Sequence, residues 1–247
     1  MITHPGGALL SDLDVKLRPL GDAGVLVELR EEISPEIGRQ CLALRDAISR
    51  AWQREGPGRL LDLVPAYRSL AVYFDPDRTA PSEASAFLER VVRGFQPVPD
   101  QGSQPKTRWR VPVVYGGEEG PDLPQVAHGL GLGEGDVVGL HAEARYRLYM
   151  YGFAPGHASL AESPPALRIG RRSEPRAAVE QGAIGLGGRQ CGIYSLRGPG
   201  GLHIIGRTAI RLFFADRVPP TPMAVGDEVQ FFAVETMAAA ERLERAE

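Results

Sequence analysis

Glycine and proline supply 51 of the 247 residues, 30 and 21 respectively, against average shares of about 7% and 5%. Glycine opens backbone conformations that other residues avoid, and proline removes a donor from any helix or ladder. A chain punctuated this densely builds many short strands and turns more readily than long helices. Hydrophobic residues make up 43% and charged residues 24%, close to globular averages of about 45–50% and 25%. The chain therefore has enough apolar material for a core, and wholesale disorder is excluded.

Several function classes fall away next. No apolar stretch approaches the roughly 20 residues of a membrane span. Met1 to Leu20 lacks the basic start and apolar middle of a signal peptide. Two cysteines, Cys41 and Cys191, are too few for a disulfide framework or a zinc site, and a reducing cytoplasm is the expected compartment. With 28 basic and 31 acidic residues the net charge is −3, which argues against a nucleic-acid binder. Lys16 and Lys106 are the only lysines, and neither sits in a GxxxxGK[S/T] phosphate loop. No GxGxxG or GxSxG occurs. His4, His128, His141, His157 and His203 show no metal-ligand spacing, so no metal site is expected.

The order of signals describes two domains. The first twelve residues, with Pro5-Gly6-Gly7, read as a disordered leader. Val15–Leu20 and Gly24–Arg30 read as strands about a tight turn. Ser34-Pro35 is a helix start, and Ile37, Cys41, Leu44, Ile48 and Ala51 then mark one apolar face as far as Gly56-Pro57-Gly58. Leu60–Val64 and Ser69–Phe74 read as strands, and a second helix begins near Pro81. This is a small α/β sandwich over residues 13–98, closed by a proline-rich linker at Gln96–Lys106.

Residues 106–235 read as a second domain. Trp109–Tyr115 is strand-like, and Leu123–Leu130 and Glu134–Ala142 are short helices. Short extended runs follow at Tyr146–Tyr151, Gly192–Leu196, Leu202–Ile205, Ile210–Phe214 and Val229–Val234. Such spacing predicts a β-barrel or sandwich. Residues 236–247 read as a polar, helix-prone tail. The fold class is thus α+β.

Charge is concentrated in the second domain. Between Arg168 and Arg211 lie eight arginines and two acids, +6 in 44 residues, leaving −9 for the rest. Nine glycines accompany them from Gly182 to Gly206. Arginine offers forked donors to carboxylate or phosphate, and glycine lets backbone N–H groups approach an anion. The alternative is that glycine serves turns while arginine solvates the surface. Cys191 would need a lowered pKa to act as a nucleophile, and a small residue at a strand start is the commoner role. His157 lies in a proline-glycine loop of the kind that borders sites. His203 alternates with apolar neighbours. Glu118, Glu119 and Asp122 include a possible general base, though a solvated loop is the ordinary fate of such a cluster.

The same residues resemble a known family. Val111-Pro112-Val113-Val114-Tyr115-Gly116-Gly117 and Gly120-Pro121-Asp122-Leu123 are similar to the start of the second domain in the family of 5-oxoprolinase B components, also called allophanate hydrolase subunit 1. Gly152-Phe153-Ala154-Pro155-Gly156, Arg171-Arg172, Pro175-Arg176, Gly188, Gln190 and Gly192-Ile193-Tyr194 fit it too. So do Pro199-Gly200-Gly201, Ile205-Gly206-Arg207-Thr208 and Gly226-Asp227.

The resemblance implies an α/β domain followed by a cyclophilin-like barrel. It implies one part of a heteromeric, ATP-dependent 5-oxoprolinase that opens 5-oxoproline to glutamate. ATP, with Mg, would be the co-substrate, and no prosthetic group is expected. The partners would be a homologous C component, similar to allophanate hydrolase subunit 2, and a LamB/YcsF-type protein. The substrate would be a small carboxylate. Alternatives are a regulator of a sensor histidine kinase and a part of an allophanate hydrolase or urea carboxylase-like system; a prolyl isomerase would rest on the fold alone. Arg171, Arg172, Arg176, Gln190, Tyr194 and Arg207 are the candidate anion-binding residues, with Phe153, Pro155, Gly156 and His157 as a bordering loop. The chain departs from the family after Gly156, where the usual Phe-x-Tyr-Leu-Gly reads His157-Ala158-Ser159-Leu160-Ala161.

Overall fold

A computed structural model describes residues 13–97 and 107–244. The expected leader and most of the expected linker lie outside the described residues. The chain divides into two compact units, Met1–Ser103 and Gln104–Glu247.

In the first unit, β1 (Lys16–Pro19), β2 (Gly24–Glu28), β3 (Leu60–Pro65) and β4 (Ser69–Phe74) form an antiparallel sheet in the order β1-β2-β4-β3. Helix α1 (Pro35–Glu55) starts where the sequence predicts, with Ser34 Oγ accepting a bond from the Ile37 N–H at 3.3 Å. It buries Ile37, Cys41, Leu44, Ile48, Ala51 and Trp52. Burial of each large apolar side chain contributes roughly 1.5–3 kcal/mol. Trp52 stacks near Phe74, meets Phe87 edge-on at 5.0 Å, and donates its indole N–H to Gly58 O at 2.9 Å. That bond anchors the glycine turn that ends the helix. Helix α2 (Pro81–Gly94) adds Ala84, Phe87, Leu88 and Val92 to the core.

The second unit is a closed barrel. Its strands are β5 (Arg108–Tyr115), β6 (Tyr146–Tyr151), β7 (Ala158–Ala161), β9 (Ala183–Gly187), β10 (Gln190–Ile193), β12 (His203–Arg207) and β13 (Glu228–Ala233). They close in the order β10-β7-β6-β13-β5-β12-β9. Only β5 and β13 run parallel; the other barrel pairs are antiparallel. A two-stranded ribbon, β8 (Arg176–Val179) with β11 (Gly198–Gly200), stands apart from the barrel ladder. Helices α3 (Leu123–Leu130) and α4 (Glu134–Glu143) lie between β5 and β6. The interior is filled by Val111, Val113, Tyr146, Leu148, Leu160, Ile184, Leu186, Ile193, Ile205, Val229 and Phe231, all essentially inaccessible. Helix α5 (Met237–Glu244) buries Ala240 and packs beside β5.

Ile210–Phe214 is not a strand. The barrel closes without it, so the run has no ladder to join. It forms a loop instead, held by Phe214 N donating to Pro220 O at 2.8 Å. Leu212 is buried in the barrel's core cluster, and Ile210 packs against it. Among the described residues no helix is long and apolar enough to cross a membrane.

Candidate functional site

Strands β9 and β10 place their large residues inside the barrel and their glycines outside. Ile184, Leu186, Cys191 and Ile193 enter the core, so the alternation of strand side chains turns Gly185, Gly187 and Gly192 outward. Leu202 lies flat on this glycine floor. A Cβ at Gly185 would stand 2.6 Å from the Leu202 Cβ, and one at Gly187 would stand 2.7 Å from its Cδ2.

The floor is flanked by candidate residues. A Cβ at Gly187 would meet Arg171 Cγ at 3.1 Å, and one at Gly192 would meet His157 Nε2 at 3.1 Å. Arg171 Nη2 donates to Gln190 Oε1 at 2.6 Å. The His157 ring stands edge-on to Tyr194 at 4.7 Å, and Phe153 stands edge-on to His157 at 5.4 Å and to Tyr194 at 6.2 Å. Phe153 is 71% exposed and sits at φ 69°, uncommon for a residue with a Cβ. Ser195 Oγ donates to Pro155 O at 2.6 Å and steadies the loop. Gly156, at φ 71°, has room only for a hydrogen, because a Cβ there would meet Phe213 Cβ at 2.8 Å. Arg171, Gln190, Tyr194, Phe153 and His157 thus come together.

Burial pushes the His157 imidazole down to about 4, and the Arg171 charge pushes the same way. The ring is neutral at physiological pH. Burial raises the Tyr194 phenol against the opposing pull of a backbone bond at Leu202 and of Arg171 and Arg176.

The other candidate arginines, Arg172, Arg176 and Arg207, are held by acids. Arg172 Nη1 donates to Asp122 Oδ1 at 3.0 Å, and Arg176 donates to both Asp122 oxygens at 2.6 Å. The Ile204 N–H completes the set at 2.6 Å. Burial alone would raise the Asp122 pKa, but bonds from Arg176 and Ile204 and the charges of both arginines outweigh it and hold the carboxyl low. Arg207 is forked onto Glu119, whose carboxyl that bond keeps low. Arg168 and Arg189 meet Glu162, and Arg197 meets Glu180. Asp122 and Glu119 are therefore held ionised as anchors for cations. Arg171, bonded to a neutral amide, has no carboxylate partner among the ion pairs of the described residues.

A buried relay within the barrel had no signal in the sequence. His141, fully buried on α4, hydrogen-bonds Tyr115 OH through Nδ1 at 2.7 Å and Cys191 Sγ through Nε2 at 3.4 Å, and stacks on Phe231 at 4.5 Å. Burial drives the imidazole down to about 3 and pushes the Cys191 thiol up. Cys191 is consequently an inert core thiol, the opposite of an activated nucleophile. His203 faces Gly170 O at 3.0 Å. Among the described residues no group of three or more His, Cys, Asp or Glu could hold a metal ion.

Residues 15–223 match the model of the carboxyltransferase domain, subdomain C and D. The chain is 30% identical over 226 residues to the B component of 5-oxoprolinase from Bacillus subtilis (strain 168), spanning 89% of this chain and 92% of that protein. It is 35% identical over 215 residues to the B component of 5-oxoprolinase from Escherichia coli O157:H7, spanning 86% and 93%. The crystal structure of TTHA0988 superposes with a TM-score of 0.71 at 36% identity over 87% of this chain. This chain spans 40% of the TTHA0988 structure.

Proposed function

This chain belongs to the carboxyltransferase subdomain C and D family, and from that membership we propose that it is the B component of an ATP-dependent 5-oxoprolinase. Relatives carrying that name match nearly their whole length. The reaction adds water across the lactam C–N bond of 5-oxoproline; the ring nitrogen leaves as the amine of glutamate, and ATP is hydrolysed.

The observation that carries the site is Arg171 bonded to Gln190 beside three aromatic rings on a glycine floor. A guanidinium with no carboxylate of its own is suited to the carboxylate of a small acid. Tyr194, His157 and Phe153 supply walls for a compact ring. Arg172, Arg176 and Arg207 act from behind as structural cations.

The reading makes the chain one part of a composite enzyme. Among its described residues no group of three or more His, Cys, Asp or Glu could hold a metal ion, and its sequence has no GxxxxGK[S/T] phosphate loop. A homologous C component and a LamB/YcsF-type protein would supply the rest, in the cytoplasm. A stable interface of this kind buries at least about 1,200 Å².

Reconstitution tests this. ATP-dependent release of glutamate from 5-oxoproline is assayed with this chain alone, with the C component, and with both partners. Turnover only in the complete mixture is expected. Turnover by this chain alone overturns the composite reading, and none in any mixture, with tight binding to a sensor kinase, favours a regulatory role.

A further inference from the structure

The sheet of the first unit has one face covered and one bare. Val25, Val27, Leu70, Val72 and Phe74 point into the core that α1 and α2 share. Strand alternation therefore turns Arg18, Leu26, Ala71, Val64, Tyr73 and Asp62 to the other side. The register sets Arg18 beside Leu26, Leu26 beside Ala71, Ala71 beside Val64, and Tyr73 beside Asp62. Leu20 and Tyr73 converge on Gly24, where an added Cβ would stand 3.3 Å from both the Leu20 Cβ and Tyr73 Cδ1. Leu20, Val64 and Tyr73 are each more than one third exposed, and Leu61, in the bulge before Asp62, is half-exposed. These are four of the seven large apolar residues exposed among the described residues. Apolar exposure is thus gathered on this face, and gathered exposure marks an interaction surface.

We infer that this face binds the same face of a second copy of the chain, with the two sheets crossed near a right angle. The edges of the sheet are guarded against strand addition: β1 carries Lys16, Arg18 and Pro19, and β3 carries a bulge, Asp62 and Pro65. Association is left to the face, and its charges select the partner. Arg18 and Arg68 share Glu28 at 2.5 and 3.7 Å, which leaves a surplus positive charge at the end of the sheet where Lys16 also lies, paired with Asp14 at 3.5 Å. Asp62 lies at the other end and hydrogen-bonds only the Leu63 N–H among the described residues. With the strand order β1-β2-β4-β3, Lys16 and Asp62 occupy diagonal corners. Three strand spacings of about 4.8 Å and four residues of about 3.3 Å set that diagonal at roughly 45° to the strands. A two-fold axis across the diagonal exchanges the corners and turns the partner's strands by about 90°, which is the orthogonal class of sheet packing. Each Lys16 corner then meets the partner copy's acidic corner, twice in the dimer.

Size sets the affinity. Four strands at about 4.8 Å and five residues at about 3.3 Å make a face of roughly 300 Å² in projection, small beside the roughly 800 Å² per partner of a standard interface. The dimer is therefore weak, with a dissociation constant in the micromolar to millimolar range. The pairing does not depend on the proposed activity, and it adds a two-fold axis to whatever assembly the chain enters.

Analytical ultracentrifugation of the full-length chain, from about 1 μM to about 1 mM, tests this. A concentration-dependent equilibrium between monomer and dimer is expected. Tyr73→Glu and Val64→Lys change side chains outside the core, so each should weaken the dimer at least about tenfold with the melting temperature unchanged. Lys16→Glu and Asp62→Lys should each weaken it about two- to thirtyfold, the worth of two exposed ion pairs. Combining the two should restore it, because both symmetric contacts then hold the same charges in exchanged places. A dimer indifferent to Tyr73→Glu and Val64→Lys, or one that the double exchange fails to restore, overturns the proposal. A wild-type chain that stays monomeric at about 1 mM overturns it too, and slowed hydrogen exchange of β4 on adding the homologous C component would then assign the face to that partner.

Discussion

Asp122 and Arg176 meet in a two-pronged ion pair, with Nη1 and Nη2 each 2.6 Å from a different carboxylate oxygen. Asp122 is 3% exposed and also receives Arg172 and the Ile204 N–H. One carboxylate thus ties the start of α3, the 172–176 segment and β12 together.

Removing it should destabilise the fold. Asp122→Ala leaves two guanidiniums and a backbone N–H without their acceptor. Breaking a buried pair costs about 3–5 kcal/mol, and both arginine side chains are about one quarter exposed, so the loss should lie near about 2–3 kcal/mol after solvent screening. Urea unfolding measures it. A loss within about 0.5 kcal/mol, the range of ordinary surface changes, would show that the three segments are held elsewhere.

The arginines should divide by partner. Arg171→Ala should weaken substrate binding by about tenfold to a hundredfold, the worth of a charge-assisted bond of roughly 1.5–3 kcal/mol, with the melting temperature nearly unchanged. Arg172→Ala and Arg176→Ala should lower the melting temperature first. Equal effects of all three on binding, without loss of stability, would return Arg172 and Arg176 to the ligand.

Much of this architecture could be read from the chain, and the failures have physical causes. The strand Ser69–Phe74 and the α1 face from Ile37 to Ala51 emerge from local periodicity, because each buries one face against a neighbour close in sequence. Strand β9, Ala183–Gly187, gave no such signal: its outward residues are glycines beneath Leu202, so polar alternation is replaced by empty space. Ile210–Phe214 has strand-like composition but no free ladder. The excess of arginine was visible, yet its division between acids and site was not. Arg176 finds Asp122 across 54 residues and Arg207 finds Glu119 across 88, and no local pattern records such pairings. The same distance hid His141 from Cys191.

Stability should fall as the solution is acidified, before the carboxylates titrate. His141 and His157 are held down to about 3 and about 4 in the fold, against about 6.5 unfolded. Above pH 6.5 neither state binds the proton, and no difference arises. Below it the unfolded chain takes up protons that the folded chain refuses, so stability is lost from pH 6.5 down towards the folded values. For His141 the loss at pH 5 is about 2 kcal/mol. Asp122 and Glu119, with lowered folded values, reinforce the trend once pH falls below their unfolded range. His141→Gln should flatten the slope of stability between pH 6.5 and 5; an unchanged slope would show that the buried imidazole takes up its proton within the fold.

The glycine floor can be tested by filling it. Gly185→Ala brings a methyl group to 2.6 Å from the Leu202 Cβ, a distance that real Cβ atoms do not sustain. The obstructing atom is the root of the leucine side chain, so a change of rotamer cannot relieve it, and either β9 or the loop before β12 must move. Overpacking of this kind costs about 1–3 kcal/mol. Because Leu202 also spans Gly187 and Gly192, its displacement should disturb Arg171 and His157 together and raise KM as well as lower the melting temperature. Gly139→Ala provides the opposite sign: it lies inside α4 with nothing within 4 Å of an added Cβ, and the helix preference for alanine should stabilise by up to about 1 kcal/mol. If Gly185→Ala melts like wild type and binds substrate normally, Leu202 does not rest on the floor in solution, and the site loses the surface on which its two flanks are aligned.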